Sequence, residues 1–244
     1  MARSGTPLLA VLIDADNVLA RHAEAIMKEV STLGEPALRR VYGDWSSQQL
    51  ASWKTQARDL GFVMHQQSAN TKGKNASDIG LVIDAMDILH AGKFDAFVLV
   101  SSDSDFTRLA QRIREDGLEV VGIGEAKTPE SLRKACNRFI LIENLVEEPA
   151  AEDRSPPSRT AEGAAPLRQP PSRAIPLIVE AMRAIGGDED WYSLGQLGQY
   201  LVRETPDFDP RTYGSAKLSD LIRKTGRFEV KQGAGNHLLV RDLA

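Results

Sequence analysis

Short apolar segments alternate with helical patterns through residues 1–148, and this alternation limits the fold to a few topologies. The apolar segments are residues 8–13, 37–42, 62–66, 96–100, 119–123 and 139–142. Helical patterns occupy residues 18–33, 48–60, 78–89, 106–115 and 129–135. The segments are rich in Val, Ile and Leu, which is typical of strands buried on both faces of a sheet. Repeated strand–helix units predict an α/β domain with a parallel sheet.

A proline-rich stretch divides the chain. Residues 149–172 contain six prolines and almost no large apolar side chains, so they predict a flexible linker between domains 1–148 and 173–244. Beyond it, residues 175–185, 194–202 and 218–223 have helical patterns, with Ser193 as an expected N-cap. Residues 227–232 and 237–241 have the pattern of a hairpin. Three helices followed by a hairpin predict a small winged-helix (α+β) domain.

Two acidic clusters follow apolar segments directly. They are Asp14-Ala15-Asp16-Asn17 and Ser101-Ser102-Asp103-Ser104-Asp105. Acids at the carboxyl ends of parallel strands lie where α/β proteins bind ligands, and several together repel one another unless a cation neutralises them. The clusters therefore predict a divalent-metal site. A capping role also fits, for Asp16 or Asn17 at the first helix and for one of Asp103, Ser104 and Asp105 at the helix near Phe106.

A polar loop contributes a third acid. Lys72-Gly73-Lys74-Asn75-Ala76-Ser77-Asp78 runs into a predicted helix, where an acid in the first turn also suits the helix dipole. Asp78 follows the third strand, so we expect it at the same sheet edge. Asp84 lies about 240° further round that helix and is expected to support the site or face solvent. Lys72 and Lys74 fit either phosphate contacts or a solvated surface.

These segments resemble the three motifs of NYN domains, which are PIN-like, metal-dependent ribonucleases. The matching segments are Leu12-Ile13-Asp14-Ala15-Asp16-Asn17, Ser77-Asp78-Ile79-Gly80-Leu81-Val82-Ile83-Asp84-Ala85-Met86 and Val98-Leu99-Val100-Ser101-Ser102-Asp103-Ser104-Asp105-Phe106. The resemblance covers residues 7–145 and implies a PIN-like Rossmannoid fold. It implies metal-binding acids at Asp14, Asp78, Asp103 and Asp105, and polar site residues at Asn17 and Ser101. Ser102 departs from the motif, because the family usually has glycine there.

The residue types in the acidic clusters suit a metal-dependent hydrolysis. Carboxylate oxygens are the ligands that Mg²⁺ and Mn²⁺ prefer, and such ions can activate water for phosphodiester cleavage. The four histidines have no paired-ligand spacing, and the single cysteine, Cys136, excludes an intramolecular disulfide and Cys-based zinc clusters.

The net charge of −4 indicates no global basic field. No apolar run reaches the length of a membrane span, so we expect a cytoplasmic protein.

Residues 173–244 resemble a LOTUS domain, also called OST-HTH. The matching segments are Trp191-Tyr192-Ser193-Leu194-Gly195-Gln196-Leu197-Gly198, Tyr213-Gly214-Ser215-Ala216-Lys217-Leu218-Ser219-Asp220-Leu221-Ile222, Phe228-Glu229-Val230 and Asn236-His237-Leu238-Leu239-Val240. The resemblance implies that this module binds RNA or a protein partner. Its cations, Lys217, Arg223, Lys224, Arg227 and Lys231, suit phosphate contacts, although Asp220 and Glu229 weaken the patch.

Two other functions fit parts of the sequence. An RNA-binding adaptor would keep the acidic pocket without turnover, but a pure binder has little use for clustered anions facing a polyanion. A phosphatase of the haloacid dehalogenase kind would use Asp14 as nucleophile and Asp16 as acid/base. That family needs Thr or Ser near position 18, where this chain has Val18, and a cap domain that the sequence lacks. A metal-dependent endoribonuclease is the leading hypothesis; the sequence does not distinguish RNA from DNA cleavage.

Overall fold

The computed structural model describes residues 5–66, 76–146, 168–186, 191–233, 235 and 237–244. The chain divides into two compact units, Met1–Glu147 and Glu148–Ala244. The first is an α/β unit, and the second contains helices with a small antiparallel sheet. Residues 67–75, which include Lys72 and Lys74, lie outside the described residues, as does most of the predicted linker.

The first unit contains a six-stranded parallel sheet with the order β3-β2-β1-β4-β5-β6. Its strands are β1 (Leu8–Asp14), β2 (Glu35–Gly43), β3 (Val63–Gln66), β4 (Ala96–Val100), β5 (Glu119–Gly124) and β6 (Arg138–Leu141). Its helices are α1 (Ala23–Leu33), α2 (Ala51–Leu60), α3 (Ala76–His90), α4 (Thr107–Glu115) and α5 (Glu130–Ala135). The predicted α/β fold is confirmed, and each predicted strand and helix is present. The helices predicted from residues 18 and 48 start later, at Ala23 and Ala51, because each is preceded by a 3₁₀ turn.

The strand order places the two acidic clusters side by side. Strands β1 and β4 are neighbours, and Ile13 at the end of one pairs with Val100 at the end of the other. The chain runs outward from β1 through β2 to β3, and outward from β4 through β5 to β6. The β1–β4 junction is therefore the topological switch point, where ligands bind in open α/β sheets.

Apolar layers cover both faces of the sheet. Along β1, Val11 and Ile13 pack into the cluster that contains α1 and α2 residues, such as Trp53. Leu12 packs on the opposite face with residues of α3 and α4. Because strand side chains alternate between faces, Asp14 projects on the same face as Leu12, toward α3. This alternation determines which helices can contribute to the acidic site.

The second unit has the predicted three helices and hairpin. The helices are α6 (Ile175–Ile185), α7 (Leu194–Glu204) and α8 (Leu218–Thr225), and the sheet has the order β7-β9-β8, formed by Tyr192–Ser193, Leu238–Asp242 and Phe228–Gln232. This arrangement is compatible with a winged helix. Strand β7 is new relative to the sequence prediction, because two residues are too short to show alternation. Ser193 precedes α7 without a side-chain capping bond.

The start of the second unit lies close to its predicted position. A 3₁₀ turn at Pro171–Ala174 precedes α6, and Ala174 is buried in the apolar core of this unit. Residues 171 and 172 therefore belong to ordered structure, although composition placed them at the end of the linker. Residues 149–167 lie outside the described residues, so the linker stays a prediction.

Candidate metal centre

Asp14, at the end of β1, is a buried carboxylate held by three donors. Its side chain accepts hydrogen bonds from the Asn17 amide (2.7 Å), the Ser101 hydroxyl (2.8 Å) and the backbone N–H of Asp16 (3.1 Å). Burial raises the pKa of Asp14 because it penalises the charged form, while the bonds from Asn17 and Ser101 oppose this shift. Asn17 and Ser101 thus fix the orientation of Asp14.

The second cluster forms a connected turn after β4. The Ser101 hydroxyl, which donates to Asp14, also accepts a hydrogen bond from the backbone N–H of Asp103 (3.1 Å). The Asp103 carboxylate in turn accepts from the N–H of Asp105 (2.9 Å) and caps the 3₁₀ turn Ser104–Phe106. Side chains after β1 and β4 are therefore joined by continuous hydrogen bonds.

Helix α3 brings Asp78 to this edge. Asp78, Asp103 and Asp105 each offer a carboxylate oxygen, and these oxygens all lie within 4.8 Å of one another. Burial, together with the negative charges of Asp14, Asp103, Asp105 and Asp16, raises the pKa of Asp78 to about 6. Carboxylates this close repel one another, and a cation relieves the repulsion.

Of the four acids predicted to bind the metal, three lie at ligand spacing from one another and the fourth, Asp14, is not in that group. The group at ligand spacing among the described residues contains Asp78, Asp103 and Asp105, whereas Asp14 lies beside it and contributes to its field. Direct ligation by Asp14 stays a prediction. The donors of this group are all carboxylate oxygens, without cysteine or histidine, and such a set suits a hard divalent cation.

The capping alternatives have different outcomes at the two clusters. The 3₁₀ turn Ala20–His22 after β1 begins at Leu19 without a side-chain cap, so neither Asp16 nor Asn17 caps it. Asp103 caps its own turn and also belongs to the carboxylate group. Capping and a metal-binding role are therefore compatible at Asp103, because the two oxygens of a carboxylate can serve different partners.

Ser102, which stands where the resembled family usually has glycine, faces the neighbouring strand. Its hydroxyl accepts a hydrogen bond from the backbone N–H of Glu125 (2.9 Å), just after β5. This bond ties the turn that carries Asp103 to the end of the next strand. Ser102 thus supports that turn by a contact that the motif alone does not suggest.

Asp84 has a different environment from Asp78. It accepts hydrogen bonds from Arg40 and from the hydroxyl of Tyr42, both on β2, and His65 Nδ1 lies 4.0 Å away. Burial and the nearby carboxylate raise the pKa of Tyr42. Because Tyr42 pairs with Asp14 across β1 and β2, this network ties α3 to the sheet next to the acidic site.

Sequence reasoning missed the Arg40–Tyr42–Asp84 network, although part of its signal was present. Arg40 and Tyr42 are two residues apart on one strand, so their side chains share a face of the sheet. A cation and a hydroxyl on the sheet face covered by a helix require a polar partner on that helix. Asp84 is that partner.

The cations of the second unit differ in their pairing. Arg227 forms two bonds to Asp242, Arg223 lies 3.6 Å from Asp220, and Lys224 donates to the carbonyl of Gly214. Lys217 and Lys231 are exposed and form no ion pair with a carboxylate in the described part of the chain. Among the described cations predicted to contact RNA, these two lysines have no carboxylate partner, and the role of the whole set stays a prediction.

Comparisons with known proteins identify two domains. The model of the NYN domain matches residues 8–143, and the model of the OST-HTH/LOTUS domain matches residues 165–240. No curated protein shows significant similarity to the chain. Within the described residues, no helix is long and apolar enough to cross a membrane.

Two solved structures are similar to parts of the chain. One is a crystal structure of a protein of unknown function from Vibrio parahaemolyticus, with 22% identity and a TM-score of 0.49, covering 58% of this chain and 96% of that one. The other is a solution structure of an uncharacterized protein from Nitrosomonas europaea, with 28% identity and a TM-score of 0.26, covering 41% of this chain and 88% of that one.

Proposed function

Because the chain belongs to the NYN domain family of PIN-like nucleases, we propose that it is a metal-dependent endoribonuclease. The observation that carries this proposal is the group formed by Asp78, Asp103 and Asp105, whose carboxylate oxygens lie within 4.8 Å of one another. The group lies at the switch point between β1 and β4, where an α/β sheet offers a ligand crevice.

The acidic residues have separate tasks in this proposal. Asp78, Asp103 and Asp105 hold Mg²⁺ or Mn²⁺, which would supply the positive charge that activates an attacking water and stabilises the leaving oxygen. Asp14 adds negative charge beside them, and Asn17 and Ser101 hold its carboxylate in place. None of these side chains needs to form a covalent bond with the substrate.

The second domain supports RNA as the substrate. The OST-HTH/LOTUS domain is an RNA-binding module, so its presence on the same chain favours RNA over other phosphodiesters. A tether between a binding module and a nuclease raises the local substrate concentration without changing the active site. We therefore expect the second domain to lower the RNA concentration needed for cleavage.

The phosphatase alternative receives no support from the geometry. Its nucleophile would be Asp14, which is 1% exposed and accepts three hydrogen bonds. A carboxylate this enclosed cannot approach the phosphorus of a monoester without losing those bonds. The adaptor alternative differs from the proposal only in turnover, so a cleavage assay separates the two.

The test uses the full chain with end-labelled single-stranded RNA, DNA of the same sequence and a chromogenic phosphate monoester. Each substrate is incubated with Mn²⁺, with Mg²⁺ or with chelator. We expect internal cleavage of RNA that requires metal, is lost in Asp103→Asn and is retained in Asp87→Asn. Asp87 is the matched control because it is an exposed acid on α3, outside the carboxylate group.

Three outcomes would contradict the proposal. RNA binding without metal-dependent cleavage would favour the adaptor. Hydrolysis of the monoester alone would favour the phosphatase. Equal loss of cleavage in Asp103→Asn and Asp87→Asn would show that charge on the domain, rather than the carboxylate group, controls the activity.

A further inference from the structure

The small sheet of the second unit has one covered face and one outer face. Tyr192, Val240 and Val230 lie across it in register, and all three pack into the apolar core of the unit. Because side chains alternate along each strand, the neighbouring residues project outward. The outer face of the sheet is formed by Ser193, Glu229, Lys231, Leu239 and Arg241. Trp191, which directly precedes β7, lies against the cations of this face.

Trp191 lies on this outer face with two cations near its ring. The Nζ atom of Lys231 is 3.6 Å from the centroid of its ring, and the Cζ atom of Arg241 is 4.8 Å away. Trp191 is not part of the apolar core of the unit. The indole is half-buried and lies outside this core, so part of its π surface is accessible on the sheet face.

The two cations around the ring are held differently. Arg241 donates to Glu229 (2.6 Å), which neutralises and fixes its guanidinium. Lys231 is exposed and forms no ion pair with a carboxylate in the residues that the structure covers. A lysine on a flexible stem can leave the ring at little cost, since an exposed cation–π contact contributes only modestly. The ring can thus exchange the Lys231 ammonium for another flat or cationic partner.

We propose that the outer sheet face binds single-stranded RNA, with a nucleobase stacked on Trp191 and the adjacent phosphate paired with Lys231. This inference rests on the proposed RNA substrate and adds the surface that recognises it. The chemistry favours RNA over an acidic protein segment, because a half-buried indole beside a lysine without a carboxylate partner among the described residues offers a base and a phosphate one partner each. An acidic segment would use the cation and leave the ring without a stacking partner.

The same domain contains a matched comparison on helix α7. The Cζ atom of Arg203 lies 5.0 Å from the ring centroid of Tyr200, so an aromatic–cation pair is present there as well. In that pair Arg203 is bound to Glu204 (3.2 Å), and Tyr200 packs against the apolar core. A neutralised cation beside a ring that packs on the core is not expected to bind RNA.

The first experiment follows tryptophan fluorescence. The full chain carrying Asp103→Asn, in chelator, is titrated with a single-stranded RNA of about 12 nucleotides, a length within the range of known single-strand site sizes. Stacking on Trp191 is expected to quench its emission, and Trp191→Phe should abolish the quenching while changing the affinity less than about three-fold, since Phe keeps a ring. Trp45 and Trp53 are buried in the first unit and serve as the internal reference.

The second experiment measures affinity by fluorescence anisotropy of labelled RNA. We expect Trp191→Leu to weaken binding about ten-fold, in line with the loss of one base–aromatic stack. Lys231→Gln should reduce the slope of log affinity against log salt by about 0.7, as for one phosphate contact on a single strand. Arg203→Gln, which removes the same charge elsewhere on the domain, should leave affinity and slope unchanged.

The outcomes separate this inference from the proposed nuclease activity. Binding is measured in chelator with Asp103→Asn, so a failure of cleavage does not affect it. The inference is overturned if RNA leaves the emission of Trp191 unchanged, or if Trp191→Leu and Arg203→Gln weaken binding equally. Displacement of RNA by polyglutamate together with an unaltered affinity of Trp191→Leu would also overturn it, in favour of a surface for acidic proteins. Equal melting temperatures of Trp191→Phe and of the Asp103→Asn chain that carries it would show that the substitution does not disturb folding.

Discussion

Two aspartates on the same helix, Asp78 and Asp84, show how position determines the role of a charge. Asp84 lies against Arg40 and Tyr42, and its charge is balanced within the protein. Asp78 instead faces other carboxylates, which together with burial raise its pKa to about 6. Within one helix, Asp84 has its charge compensated by the protein and stabilises the fold, whereas the charge of Asp78 lies among other carboxylates and favours binding of a cation.

The largest expected effect follows from removing the unbalanced acid. Asp78→Asn deletes one of three carboxylates at ligand spacing, so we expect RNA cleavage to fall by about 100-fold or more, the scale at which lost transition-state stabilisation is usually seen. Initial rates at saturating Mn²⁺ measure the effect. Asp87→Asn on the same helix should retain the activity, and a comparable loss there would contradict the assignment.

Removing the balanced acid should act on stability. Asp84→Asn leaves the guanidinium of Arg40 without its charged partner, and the two side chains are only 26% and 20% exposed. We expect the free energy of unfolding to fall by about 2 kcal/mol, because a partly buried cation loses its compensation. Urea unfolding measures this change. A loss of cleavage without a loss of stability would contradict the structural role given to Asp84.

A smaller change tests the other partner of Asp84. Tyr42→Phe removes one hydroxyl donor and keeps the ring, so we expect a loss of about 1 kcal/mol in unfolding free energy. Cleavage at a temperature well below the unfolding transition should remain within a few-fold of the wild type. Combining Tyr42→Phe with Asp84→Asn should cost less than the sum of the two changes, because both remove the same bond.

The contrast between Asp78 and Asp84 shows what could be predicted from the sequence. The helix position of Asp78 and the strand ends before Asp14 and Asp103 follow from local patterns, and the parallel sheet brings strand ends to one edge. The balance of charge at Asp84 depends on which strand α3 packs against, and local periodicity does not contain that information. The same limit applies to Trp191, whose cation neighbours come from two other strands of its sheet.

The smallest effect is a dependence of stability on pH in the absence of metal. An acid whose pKa rises from 3.8 in the unfolded chain to about 6 in the fold is protonated in both states below pH 4, and its ionisation destabilises the fold as pH increases to about 6. Asn in its place carries no charge at any pH. Metal-free Asp78→Asn should therefore gain stability relative to the wild type between pH 4 and pH 6, by no more than about 1 kcal/mol because the group is partly exposed to screening solvent. Thermal melts in chelator at pH 4, 5, 6 and 7.5 measure the difference, with Asp87→Asn as control.

Mn²⁺ at about 100 times its dissociation constant should add about 2.7 kcal/mol to the wild type and much less to Asp78→Asn. A wild type that is more stable than Asp78→Asn at pH 7.5 without metal would show that the charge of Asp78 is balanced inside the protein, as that of Asp84 is.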